Sequence, residues 1–295
     1  MIKVYRANGP ASPSDGMVWG PSIRWGSGLS KIEQVMEQRP LGRSGLQVPV
    51  IGMGTWRTFD TAEDRAPLAE AAISAGITLF DSSPMYGRAE GVLAAALQGR
   101  RDQVQVATKI WTESADEGRR QAENALRLFG HVDIYQVHNL VSWKAQLKLL
   151  EGLRDTGQVS VVGATHYQTS AFPELMEVMR TGRIGMIQIP YNPLAQHAAT
   201  SVLPLAEELG LGVLVLSPLQ GGIMQARPKP AELRPLGVHT WPQAVLKWIA
   251  SDTRVSCVLT ATHLESHAKE NAEAGAPPWF DTEQRSLVEK IARGG

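Results

Sequence analysis

The chain has 295 residues, 43% hydrophobic and 20% charged, and its 29 basic and 29 acidic side chains cancel at neutral pH. Balanced charge without a long single-sign run argues against nucleic acid, whose phosphates demand a basic surface, and no apolar run reaches the roughly 18 residues of a membrane span. The one cysteine, Cys257, can form no internal disulfide, so a reducing compartment, the cytoplasm, is expected.

Residues 1–35 are rich in Gly, Ser and Pro, lack periodicity and lack the continuous apolar core of a secretory signal. They read as a disordered N-terminal extension, or the product of an upstream start codon, with a single functional domain expected over 36–295. "LGRSGLQV" then predicts a hairpin around Ser44-Gly45. "VPVIGMGTW" is a short buried strand, followed by a helix around Ala66–Ala75. "ITLFDS", "VQVATKI", "VDIYQVH", "VSVVGAT", "IGMIQIPYN", "GVLVLSP" and "VSCVLTA" are further strands. Helices follow them around 89–97, 117–128, 144–156, 173–179, 202–209, 242–250 and from His263 onward, with a Gly/Pro-containing loop over Gln220–Thr240.

These strands are short, apolar on both faces and rich in Val and Ile, as parallel strands covered by helices must be. The positions just past successive strands, Asp81, Lys109, His138 and Thr165, fall 28, 29 and 27 residues apart. Eight strand–helix units in about 250 residues predict an α/β fold, a closed (β/α)8 TIM barrel. The rival, a doubly wound sheet, usually carries a G-x-G-x-x-G turn, and "GMGTWR" lacks the third glycine.

In such a barrel all strand C-termini open on one face. Asp81, Lys109 and His138 end three consecutive strands and are therefore neighbours on that rim, within reach of Tyr86 from the following loop. Singly, each has an ordinary reading: a cap, a rim lysine, a structural histidine, a loop aromatic. Together they form a proton donor with its tuning groups. A free phenol is a poor acid at neutral pH, a nearby ammonium lowers its pKa, and a carboxylate keeps that ammonium charged. Tyr86 and His138 then bind a carbonyl oxygen as negative charge develops on it. None of these groups supplies electrons, so reduction needs a cofactor. A Schiff-base enzyme with Lys109 as nucleophile is an alternative, opposed by Asp81 holding the lysine protonated.

"GMGTW", "FDSSPMYGRAE", "VATKI", "VDIYQVH", "VVGATHY", "MIQIPYNPL" and "VLVLSPLQGG" together resemble, in order and spacing, the signature segments of the aldo-keto reductases, over Arg39 to Asn271. The resemblance implies a (β/α)8 barrel closed at its bottom by an N-terminal hairpin, and reduction of a small-molecule aldehyde or ketone by NADPH, with NADH as an alternative. It implies Tyr86 as general acid, Lys109 and Asp81 lowering its pKa, and His138 orienting the carbonyl. It matches Thr165 and His166 to the nicotinamide carboxamide, Gln188 to the same ring, and Ser217 and Leu219 to the pyrophosphate loop. Thr55 and Trp56 border nicotinamide and substrate, Leu216 stands where an aromatic often stacks on the ring, and Asn271 matches an adenine contact. Trp111 and Trp143 are candidate pocket walls.

For the 2′-phosphate the chain offers His263 and His267 where relatives usually place Lys or Arg. Histidine is only partly charged at neutral pH, so weak selectivity for NADPH is expected. Thr262 and Glu265 have capping-box spacing, which would aim a helix N-terminus at the cofactor. His263 and His267 have a metal-compatible spacing but no third ligand, so no metal is expected. Some relatives bind nucleotide to signal to a partner, so a non-catalytic sensor or regulatory subunit is the alternative function. Oligomeric state and substrate identity are not encoded legibly.

Overall fold

A computed structural model describes residues 35–294. The expectation for residues 1–35 therefore falls, apart from Val35, outside the described residues. Strands β1 (Gln38–Pro40) and β2 (Gln47–Pro49) pair antiparallel with Arg39 opposite Val48, which is the expected hairpin. Its turn lies against the start of a later strand: Arg43 N donates to Gly210 O at 2.9 Å, and Gly42, at φ 56, bridges Leu211. A Cβ on Gly42 would collide with the backbone of Gly210–Gly212, so only glycine allows this approach.

Eight parallel strands then close a barrel: β3 (Ile51–Gly54), β4 (Leu79–Asp81), β5 (Gln105–Ile110), β6 (Val132–His138), β7 (Val159–Thr165), β8 (Met186–Pro190), β9 (Gly212–Leu216) and β10 (Cys257–Thr260), with β10 pairing back onto β3. The helices between them are α1 (Ala66–Ser74), α2 (Ala89–Ala96), α3 (Ala115–Phe129), α4 (Trp143–Asp155), α5 (Phe172–Arg180), α6 (Val202–Leu209), a short α7 (Pro230–Leu233) and α8 (Trp241–Ala250). After β10 come α9 (Glu265–Ala272) and α10 (Thr282–Ala292). Local chemistry sets several boundaries. Ser114 Oγ accepts from Glu117 N at 3.3 Å to start α3, and Gly130 at φ 74 ends it. A Thr240–Gln243 capping box with Pro242 starts α8.

Side chains alternate across each strand, so the barrel has two cores. Leu79, Ala107, Ile134, Val161, Met186, Leu214, Cys257 and Leu259 fill its interior with Leu41 and Val48 from the hairpin. Their neighbours, such as Phe80, Val106, Tyr135 and Val162, pack outward against the helices. Cys257 is fully buried in the inner core, and burial pushes its thiol up, out of the reactive range.

Two readings need correction. The predicted helix from His263 begins at Glu265, because Leu264 is extended (φ −109, ψ 126) and is itself the N-cap, with no side-chain bond. Thr262 Oγ1 instead accepts from Leu264 N at 3.1 Å, a turn within the loop, so the Thr262–Glu265 capping box does not form and His263 lies off the helix that carries His267. The chain-order reading also stops short of α10, which Asp281 and Gln284 cap reciprocally.

Leu41 is wholly buried beneath the inner core at the end of the barrel where the strands begin. Leu41→Ala is expected to destabilise the fold by about 2–5 kcal/mol, seen as a lower urea midpoint at unchanged slope.

Candidate active site

The period of two that fills the barrel also builds its mouth. Asp81 lies two residues beyond Leu79, Lys109 beyond Ala107, Gln136 beyond Ile134, His138 beyond Gln136, Thr165 beyond Gly163, and Gln188 beyond Met186. Each therefore points inward at the strand C-termini. Register sets Lys109 opposite Gln136, His138 opposite Thr165 and Thr165 opposite Gln188.

At the floor of the mouth, Lys109 Nζ donates to Asp81 Oδ1 at 2.7 Å, to Asp81 Oδ2 at 2.6 Å and to the Ser82 carbonyl at 2.7 Å. Gln136 Nε2 adds a bond to Asp81 Oδ1 at 3.2 Å and Gln188 Nε2 one to Oδ2 at 3.3 Å. Both charges are almost completely buried. Burial, the largest single effect, works to lower the Lys109 pKa, but the Asp81 carboxylate and the Tyr86 phenol together outweigh it and the net shift is upward. A permanently protonated lysine is a poor nucleophile, which removes support from the Schiff-base reading.

Tyr86 rides on the 3-10 turn Pro84–Tyr86, which Ser83 caps by accepting from Met85 N at 3.2 Å. Its ring centroid is 5.3 Å from Lys109 Nζ and 5.8 Å from the His138 ring, edge to face. Burial raises the phenol's pKa above its ordinary value, with Lys109 pulling the other way and the Asp81 carboxylate adding to burial. The expectation of a lowered pKa is thus met in the sign of the lysine's effect and not in the net result, because desolvation is larger and Asp81 opposes its partner. His138, at the end of β6, is lowered to about 2 by burial and by the Lys109 and His166 charges, so it is neutral at any working pH.

These groups share one cavity of about 640 Å³ at the barrel mouth. Thr55, Trp56, Asp81, Tyr86, Lys109 and His138 line it, as do Thr165, Gln188, Leu216, Ser217 and Leu219. Thr55 Oγ1 bonds the Ser82 hydroxyl at 2.9 Å, Thr165 Oγ1 donates to Gln188 O at 2.9 Å, and Ser217 sits at φ 53 in the loop after β9.

Five predicted residues are not on the cavity wall. His166 is half-buried, stacks on Tyr167 with its ring planes 6° apart, and accepts from Gln168 N at 3.1 Å through Nδ1. The pair Thr165–His166 is therefore split: Thr165 ends β7 on the cavity wall, and His166, just past the strand, lies against Tyr167. His263 and His267 are exposed, and Asn271 is buried on α9. Trp111 lines the cavity; Trp143 does not, because it opens α4 and its indole donates to Glu174 Oε1 at 3.1 Å.

The site also contains residues that sequence reasoning passed over: Ser82, Ser83, Gln136, Asn139, Met85 and Tyr167. Gln136 was findable, standing two places before His138 on the same face. The serines were not, because next to Pro they look like cap residues. Among the described residues no group of three or more His, Cys, Asp and Glu is placed to hold a metal, and no helix is long and apolar enough to cross a membrane.

The model of the Aldo/keto reductase family matches residues 50–293. The chain is 28% identical over 218 residues to Aldo-keto reductase YhdN of Bacillus subtilis, a match covering 65% of each chain. It is 27% identical over 301 residues to a probable voltage-gated potassium channel subunit beta of Oryza sativa, covering 81% of this chain and 91% of that one. Among solved structures, an aldo-keto reductase from Klebsiella pneumoniae in complex with NADPH superposes with a TM-score of 0.73 at 22% identity, over 88% of this chain and 95% of that one. That likeness concerns the fold.

Removing one member of a buried ion pair strands the other. Lys109→Met is expected to cost about 3–5 kcal/mol of stability, and Lys109→Met with Asp81→Asn less than the sum of the single changes. Urea unfolding of the three variants checks this; simple additivity would show that the pair is not coupled.

Proposed function

The chain belongs to the aldo/keto reductase family, and on that footing we propose that it reduces an aldehyde or ketone to the alcohol, with Tyr86 as proton donor and NADPH as reductant, NADH being the alternative. One observation carries the reading: a protonated phenol, a neutral imidazole and a closed lysine–aspartate pair line a single cavity. In this reading the Tyr86 hydroxyl protonates the carbonyl oxygen while His138 hydrogen-bonds the same oxygen. Lys109 and Asp81 never touch the substrate. The ammonium stabilises the phenolate that proton transfer leaves behind, and the carboxylate holds the ammonium in place.

NADPH, when bound, supplies the hydride that none of these side chains can. The cavity suits it. Gln188 Oε1 is a buried acceptor without a partner among the described residues, a complement to a carboxamide N–H, and Thr165 stands on the neighbouring strand. Leu216 ends β9, and Ser217 and Leu219 follow it on the cavity wall, where the loop backbone would meet phosphate. Thr55 and Trp56 would border the nicotinamide, with His166 and Asn271 as further cofactor contacts. His263 and His267 face solvent near the start of α9, where a 2′-phosphate would lie. The NADPH bound by the Klebsiella neighbour points the same way. The proposal assigns this chemistry to residues 36–295, and the cytoplasm to the protein on the strength of its single, buried cysteine.

A second reading, a nucleotide-binding regulatory subunit, is favoured by the match to the probable potassium channel subunit. Fluorescence titration with NADPH and NADH, followed by a panel of aldehydes and ketones, separates the two. Turnover supports the reductase; tight binding with no turnover of any carbonyl selects the subunit.

Tyr86→Phe is expected to lower turnover by about a hundredfold or more at near-unchanged cofactor affinity; retention of most activity would sink the assignment. The sign of the pH dependence follows from the two shifts. An acid must be protonated, and the Tyr86 pKa is raised from 10.0, so kcat/KM for reduction should hold to alkaline pH and fall only above 10. His138 titrates near 2 instead of 6.5, so no break is expected near neutrality. Steady-state profiles between pH 5 and about 10.5 decide both. His267→Arg should raise the NADPH/NADH ratio by adding a charge-assisted phosphate contact; an unaltered ratio of dissociation constants would refute that position for the 2′-phosphate.

A further inference from the structure

Ser83 stands between the two groups that face the substrate oxygen in this reading. It is fully buried, its backbone is extended, and its carbonyl accepts from Tyr86 N at 3.0 Å. Its hydroxyl oxygen accepts from Met85 N at 3.2 Å and lies 2.9 Å from His138 Nδ1. No other polar atom among the described residues bonds that hydroxyl.

Proton counting then assigns the ring. A neutral imidazole has one N–H, on either Nδ1 or Nε2. If Nδ1 carried it, Ser83 Oγ would accept two N–H bonds, and its own proton would be left in a buried site with no acceptor. An unmade buried bond of that kind is penalised by more than a made one gains. If the Ser83 hydroxyl donates to Nδ1, every proton in the chain Met85 N–H, Ser83 O–H and His138 finds a place. The remaining ring proton is then on Nε2, which has no protein partner among the described residues and belongs to a side chain that lines the cavity.

We propose that Ser83 is a positioning residue that fixes the tautomer of His138, donating to Nδ1 so that Nε2–H is the donor offered to the carbonyl oxygen. The opposite tautomer would present a lone pair to that oxygen and repel it. One buried hydroxyl thus does two things: it caps the turn that delivers Tyr86, and it orients the proton of the second oxygen-binding group. The proposal rests on the reading of His138 as the residue that binds the carbonyl, but its test does not need turnover.

The test is a long-range proton–nitrogen NMR spectrum of the full chain with nitrogen-15 histidine, His138 being assigned from the signal lost in His138→Gln. The wild-type ring is expected to be purely the Nε2–H form. In Ser83→Ala it is expected to become Nδ1–H or a mixture, with kcat/KM for the best carbonyl substrate falling roughly tenfold, the weight of one hydrogen bond in the transition state, and cofactor affinity unchanged. A wild-type ring in the Nδ1–H form, alone or mixed, overturns the proposal. So does a Ser83→Ala ring that stays purely Nε2–H, whatever its rate, since the loss would then come from the turn cap. A changed ring at unchanged kcat/KM overturns it too. If Ser83→Ala does not fold, the wild-type spectrum decides. Absence of carbonyl turnover in the wild type defeats the reductase reading instead, and leaves the tautomer result standing.

Discussion

An ammonium and a carboxylate held against each other out of water at the mouth of the barrel are the constraint around which the site is arranged. Desolvating two charges is expensive, and their attraction offsets it only when geometry is good and the remaining hydrogen-bonding capacity is filled. Here it is filled from several strands: Ser82 follows β4, Gln136 belongs to β6 and Gln188 to β8, and all converge on Lys109 or Asp81. The closed barrel makes this possible, because it brings residues more than 100 positions apart in sequence onto one small ring.

The pair's electrostatic reach extends past its own contacts. Lys109 acts on Tyr86 in one direction while burial and Asp81 act in the other, and the same ammonium joins burial in keeping His138 neutral. One charge therefore biases an acid toward its conjugate base and a neighbouring ring away from its conjugate acid. The outcome is a phenol that keeps its proton next to an uncharged imidazole. That division of labour suits protonation of a carbonyl oxygen, and it depends on site dielectric as much as on which residues are present.

Much of this was legible in residue order. The regular spacing of strand ends, with apolar strands and amphipathic helices between, predicts the closed barrel, and the barrel predicts that Asp81, Lys109 and His138 are neighbours. What was not legible had particular causes. The Thr262–Glu265 box failed because spacing does not report whether the intervening Leu264 is helical or extended. Trp143 looked like a pocket wall from its distance past a strand, yet three left-handed residues, Asn139, Leu140 and Ser142, swing the chain into α4 and carry it away. Ser82 and Ser83 have no pattern that separates a capping serine from one bonded across the barrel.

By itself the sequence determined the fold class, the strands that carry Asp81, Lys109 and His138 and the face toward which those residues point, because alternation along a strand is a local property of the backbone. Only the tertiary structure decided that Gln136 and Gln188 complete the Asp81 carboxylate, that His166 stacks on Tyr167, that Ser83 touches His138, and that burial outweighs Lys109 at Tyr86. Those outcomes depend on distances across the barrel and on how much water is excluded. Both arise from the way eight strands close on one another, and no stretch of chain encodes either alone.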